Sequence, residues 1–419
     1  MTAAPTSVTE NSPADQATAQ IPDTKVDSRG PDPRDPNGEW RLLPVLSRAD
    51  RYSSVRVQDF PSVTGREDVW KNTPIAKVAD LISAELDGSR YEISTKATDG
   101  VTVEWVDRTD QRVGSVGAPE ERASANAWSS FEQALVVSVT GEDAKEVTIS
   151  RAGLGATARA AHTIIEAAPF SRATLILQNT GAANLSENVE IVVGESAALS
   201  VIFIQEWDDN AHQLASHFAT IGRDAKLKHV IVSLGGGIVR INPSTGLDGN
   251  GSDLEAYGLY FADSHQHLEQ QVYVHHVAEN TRSRVNYKGA LQGAGARTVW
   301  VGDVLIGPNA SGTDSYEQNR NLVLTEGTRA DSVPNLEIET GDILGAGHAS
   351  ATGRFDDEQL FYLQSRGITE EEARRLVVRG FLTEIVQKIG SAELQDRLQA
   401  SIEAELAVTR QPITATPGA

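Results

Sequence analysis

Between residues 151 and 345 the chain repeats one small pattern that few folds accommodate. A glycine, two residues, a small residue and one further residue lead into a short apolar run. The pattern occurs at Gly194-Glu195-Ser196-Ala197, Gly222-Arg223-Asp224-Ala225, Gly249-Asn250-Gly251-Ser252, Gly293-Ala294-Gly295-Ala296 and Gly327-Thr328-Arg329-Ala330. The runs it introduces or separates read as strands: Thr174–Leu177, Val189–Val193, Leu199–Ile204, Leu227–Val232, Gly258–Phe261, Gln271–Val274 and Val299–Ile306, punctuated by Gly, Asn and Asp. The glycine is expected to supply a positive φ, and the small residue to let one coil sit close on the next. No helical periodicity intervenes. A β-sandwich gives strands at this spacing; a β-helix stacks such units into a solenoid. The recurring turn favours the solenoid.

The flanks have a different texture. Residues 1–38 are rich in Thr, Ala, Pro and Asp without apolar periodicity, as in a disordered tail. Residues 39–150 read as a small α/β region. In it Ile75, Val78, Ala79, Ile82 and Leu86 recur at helical spacing behind Pro74, Val101, Val103 and Trp105 alternate like a strand, and a short helix is expected over Ala125–Ala134. The repeat region is assigned to 151–355. Residues 356–410 are helical: Thr369-Glu370-Glu371-Glu372 is a capping box. Ala373, Leu376, Val377, Phe381, Ile385 and Ile389 then form an apolar stripe. Leu394, Leu398, Ile402 and Leu406 line a second helix, and residues 411–419 read as a frayed end.

Composition removes several functions. A net charge of −21 repels phosphate backbones and anionic lipid, so neither nucleic acid nor membrane is an expected partner. No apolar run has the length of a membrane span, and the N-terminus lacks the basic start and apolar core of a secretory signal; the expected location is the cytoplasm. Cysteine is absent, so this chain supplies no disulfide, zinc thiolate, catalytic thiol or thiolate ligand to an iron–sulfur cluster. Gly235-Gly236-Gly237 lacks the lysine and hydroxyl of a phosphate-binding loop, and so does the rest of the chain; any ATP hydrolysis belongs to a partner.

Histidines are the remaining chemistry. His265-Gln266-His267 would place two rings on one strand face, with Asp263 and Glu269 near, which suits a metal and would make the chain a stand-alone β-helical metalloenzyme. Stacking along adjacent coils, including His275-His276, is the structural explanation and is preferred. His348 lies alone among Gly345, Ala346, Gly347, Ala349 and Ser350, residues too small to cover it.

Longer words point to a family. Tyr316-Glu317-Gln318-Asn319-Arg320-Asn321-Leu322, Ala330-Asp331-Ser332-Val333-Pro334-Asn335-Leu336-Glu337-Ile338, His348-Ala349-Ser350-Ala351-Thr352-Gly353 and Asp357-Glu358-Gln359-Leu360-Phe361-Tyr362-Leu363-Gln364-Ser365-Arg366-Gly367-Ile368 resemble the SufB/SufD family of iron–sulfur cluster assembly proteins, and within it the SufD branch. Ser233-Leu234-Gly235-Gly236, Tyr287-Lys288-Gly289 and Gly65-Arg66-Glu67-Asp68 extend the resemblance over roughly residues 60–390.

The resemblance implies a mainly β protein, with a right-handed parallel β-helix between a small N-terminal region and C-terminal helices. It implies a non-catalytic scaffold that pairs with a SufB paralogue, docks the SufC ATPase, and holds no tightly bound cofactor of its own. It also implies a transient iron–sulfur cluster at the paired interface, with His348 as this chain's ligand to it. The family often has cysteine where Ala346 stands, which leaves imidazole as the available donor. The stripe Leu376, Val377, Phe381 and Ile385 is the expected ATPase-docking surface. The absence of cysteine argues against a SufB-type subunit.

Overall fold

The structure, a computed structural model, describes Arg48, residues 51–354 and residues 357–408. The expected disordered start and frayed end lie outside the described residues.

The repeats form a parallel β-solenoid of about 8 turns. Successive strands alternate between two nine-stranded sheets, so from the third strand on each pairs with the one two places along the chain. Arg172 registers with Ala198 and Arg282 with Asp314, so a coil takes between 26 and 32 residues. The parallel ladder reaches back to β3 (Gln133–Val139) and β4 (Ala144–Ala152), earlier than the change of texture at 151.

The turns show why the repeated glycines are there, and the reason differs from the one expected for three of the five. A Cβ on Gly249 would lie 2.0 Å from the Arg223 amide nitrogen of the preceding coil. Close approach, not positive φ, therefore requires glycine at 249, and the contacts at 194 and 222 are of the same kind. The left-handed backbone falls two residues later, at Ser196 (φ 58°), Asp224 (φ 53°) and Gly251 (φ 72°). The small residue that follows, Ala197, Ala225 or Ser252, is buried at the start of the coil's interior.

Inside the solenoid runs one continuous apolar core from Leu135 to Ala310. It contains an ordered polar row. Arg151, Asn179, Gln205, Ser233 and Tyr260 are register partners through successive coils. Arg151 Nε donates to Asn179 Oδ1 at 2.6 Å, and Asn179 Nδ2 donates to Gln205 Oε1 at 2.6 Å. The Arg151 guanidinium is also clamped by Glu187 from the opposite sheet, at 2.7 and 3.1 Å.

Both outer faces are covered. The N-terminal region lays Trp70, Val78, Leu81, Ile82, Trp128 and Phe131 on one sheet, against Ile164, Leu214 and Ile238. The expected helix over Ile75–Leu86 is a 3₁₀ turn (Ile75–Lys77) followed by a short α1 (Ala79–Ser83) whose apolar residues still reach that core. Helix α2 (Arg122–Ser130) is capped by the Glu121 carboxylate, which accepts from the amides of Ala123 and Ser124.

On the other sheet lie α4 (Glu370–Val386) and α5 (Ala392–Val408), after α3 (Asp357–Ser365). Thr369 caps α4 by accepting from the Glu372 amide. Its buried residues are Ala373, Val378, Leu382, Ile385 and Val386, of which the last four pack with Ile389, just beyond the helix, and with α5 against Ile202, Val230, Tyr257 and Phe261.

A candidate cluster-assembly site at the open end of the solenoid

The last coil is made by β16 (Thr313–Val323), β17 (Arg329–Ile338) and β18 (Ile343–Arg354). β17 and β18 are the terminal strands of the two sheets, so each has one edge that no described strand pairs. An unpaired edge carries free amides and carbonyls and readily accepts another strand. Apolar side chains are exposed here: Leu344 is 81% exposed, Ile338 45% and Val333 38%. Ala330, Leu336, Ile343 and Ala346 close the interior only partly.

His348 is exposed on β18. Its position in the ladder is informative: Val201, His229, Ala256, Val285, Glu317 and His348 are successive register partners. Val201, Ala256 and Val285 belong to the interior core, so this row faces the lumen, and His348 is its last member. The imidazole therefore stands at the mouth of the solenoid, exposed because no further coil among the described residues covers it. Ala346, one inward position away, packs on the end of the core and contributes no donor atom.

Beneath His348 in the same row is Glu317. It is 1% exposed, and neither carboxylate oxygen has a hydrogen-bond partner. It reaches across the lumen to Gly302 of β15 (Arg297–Ile306). A Cβ there would lie 2.4 Å from Glu317 Oε2 and 2.3 Å from Trp300 Cη2, so only glycine leaves room for the carboxylate. Burial, reinforced by the negative charge of Asp303, pushes the Glu317 carboxyl up to about 8. Deeper in the lumen, burial and the charge of Arg151 push His217 down to about 3, and its Nδ1 lies 3.0 Å from His229 Nε2. His229 is lowered by burial and by His217.

Glu317 escapes notice in the sequence because nothing there tells which residues of Thr313–Val323 point inward. Its only signal is the alternation Thr313, Ser315, Glu317, Asn319, Asn321, all buried.

The other candidates separate. His265 sits in the turn at φ 64°, exposed, while His267 begins β13 (His267–His276) and is buried, so the two rings do not share a strand face. His267 Nε2 lies 2.8 Å from Glu269 Oε2, and Glu269 also accepts from Thr73 Oγ1, Arg240 and Gln271. Burial opposes ionisation of Glu269, but His267 and Arg240 prevail and hold it at about 2. This network ties the N-terminal region to the sheet. Among the described residues no group of three or more His, Asp or Glu side chains could hold a metal, so neither this pair nor the mouth is a complete metal site within the chain. His276 is bonded to Thr281 and Ser283.

The expected docking stripe is divided as well. Leu376 is exposed and Val377 and Phe381 are half-buried, but Ile385 belongs to the packing of α4 on the sheet. Exposed apolar surface on this region lies at Phe361, Tyr362 and Leu376.

The side chains at the mouth, an imidazole and an unpartnered carboxyl group, offer nitrogen and oxygen ligands of the type iron accepts. Comparison with known proteins gives the family. A family profile described as "SUF system FeS cluster assembly, SufBD core domain" matches residues 148–381. An iron–sulfur cluster assembly SufBD family protein of Mycobacterium leprae is 47% identical over 390 residues, covering 90% of this chain and 99% of that protein. One from Mycobacterium tuberculosis H37Rv is 47% identical over 375 residues, covering 87% and 94%. A second protein of the same description from the same strain is 30% identical over 201 residues, covering 48% of this chain and 24% of its own length. No described helix is long and apolar enough to cross a membrane. With its β-solenoid, its open end and these relatives, the chain belongs to the SufB/SufD family of iron–sulfur cluster assembly proteins.

Proposed function

We propose that this chain is the SufD-type, non-catalytic subunit of a cytoplasmic assembly complex, whose open solenoid end pairs with a cysteine-bearing SufB paralogue. His348 then faces the joint, where iron and sulfide are assembled as cargo and the partner supplies the thiolates this chain lacks. The observation that carries this reading is the place of His348: exposed, in the lumen-facing row, on the terminal strand of an uncapped solenoid. The unpaired edges of β17 and β18 support pairing by strand addition, in which main-chain hydrogen bonds continue both sheets into the partner. Similarity to two different SufBD proteins of one M. tuberculosis strain, the first along nearly its whole length, is what a chain with a separate paralogous mate would give.

Docking of SufC is assigned to Phe361, Tyr362 and Leu376, apolar side chains exposed on the first two helices after the solenoid. Any ATPase activity of the complex belongs to that partner.

His348→Ala tests the reading. The variant is expected to fold and to co-purify with the paralogue, and to lower cluster-dependent enzyme activity in cells at least tenfold. Normal cluster maturation with His348→Ala refutes the role.

A further inference from the structure

Glu317 has no structural reason to be a carboxylate. Two other buried acids of the solenoid are engaged: Glu187 by Arg151 and Gln213, Glu269 by His267 and Arg240. Glutamine or methionine would fill the same volume without the cost of burying an ionisable group unpaired. Glycine at 302 instead preserves the space into which the carboxylate projects. On the same face, one strand further out, is the exposed ring of His348, its register partner. Adjacent same-face residues of paired strands lie close enough for their side-chain ends to converge on one atom.

Resting on the assignment of His348 above, we propose that Glu317 and His348 form a two-donor half-site for ferrous iron at the solenoid mouth, able to take one ion before a partner's donors complete it. Glu317 supplies a carboxylate oxygen from below and His348 an imidazole nitrogen from the rim. Iron(II) accepts this mixed oxygen and nitrogen set, and the two donors leave its remaining positions open for sulfide, water and partner thiolates. The incomplete donor count is then a working feature: a fully enclosed site would retain its cargo.

The test is an anaerobic titration of the full-length chain with iron(II), followed by calorimetry and by Mössbauer spectroscopy of ⁵⁷Fe. The wild type is expected to take one ion whose affinity falls at least tenfold in Glu317→Gln and in His348→Ala. Glu317→Asp, which withdraws the carboxylate by one methylene, is expected to weaken the site at least threefold and gives the same reading should Glu317→Gln not fold. Wild-type affinity in Glu317→Gln, or in Glu317→Asp where only that variant folds, overturns the half-site. So does a wild-type chain that takes no iron sensitive to either residue. The two readings fail separately: unchanged iron binding in the Glu317 variants, with cluster maturation still lost in His348→Ala, removes Glu317 and leaves the function of His348 standing.

Discussion

At its N-terminal end the solenoid is covered. Strands β1 (Ser94–Ala97) and β2 (Val101–Asp107) run antiparallel to β4 and β3, reversing the direction of each sheet at its first coil. Tyr91, Ile93, Val101, Val103 and Trp105 close the core there, with Tyr91 and Trp105 edge to face at 5.0 Å and the Arg90 guanidinium over the indole. At the C-terminal end the last strands keep the parallel direction of the coils below, and their apolar side chains reach solvent. The buried acids follow the same division. Glu187, in the early coils, is clamped to Arg151; Glu317, in the late ones, has no partner. The core is closed by aromatic side chains at one end and only partly closed at the other.

Three substitutions separate these ends. The largest effect is expected at Glu187→Ala, which leaves the Arg151 charge buried and unpaired: a loss of about 3–5 kcal/mol, read by urea unfolding. A loss below about 1 kcal/mol would mean that water reaches the early coils and that this end is not closed. Next, Trp105→Ala is expected to cost about 2–3 kcal/mol and to leave pairing with the paralogue intact. Leu344→Asp should do the reverse, shifting monomer stability by less than about 0.5 kcal/mol while abolishing co-purification. If Leu344→Asp still pairs, the exposed mouth is not the interface.

The smallest effect concerns pH. The Glu317 carboxyl is raised from its ordinary 4.5 to about 8, so the folded chain holds a proton that the unfolded chain releases over that window. The stability this contributes is complete below about pH 4.5 and is lost as pH rises to 8. Glu317→Gln has no proton to lose. It should match the wild type near pH 5 and exceed it by about 1–3 kcal/mol at pH 9, a difference discounted from the full shift because the mouth lies next to solvent. Parallel pH profiles for the two proteins would mean that the carboxyl finds a partner in solution.

Much of the architecture was legible from the residues. Glycine-led turns before short apolar runs indicated a solenoid, and Thr369 marked the start of α4 where its hydroxyl does accept the Glu372 amide. Phase was the harder quantity. Strands covered on both faces read as unbroken apolar runs: in Lys226–Ser233 every residue from His229 on is buried, so hydrophobicity does not say which side chains enter the lumen. Glu317 stayed hidden for that reason, and His267 was read beside His265 although a left-handed turn separates the two. On α4 the stripe includes the buried Ala373, Ile385 and Ile389 but runs through Leu376, Val377 and Phe381 where the buried face runs through Val378 and Leu382, because helical spacing fixes the period and only the sheet beneath fixes the rotation.

The reversal of strand direction at β1 and β2 has a consequence for assembly. A stack of coils with two like ends could add neighbours head to tail and grow into a fibre. Here a neighbour stacked head to tail would set its reversed β1 and β2 antiparallel on β18 and β17, so the parallel ladder of the coils would not continue across such a joint.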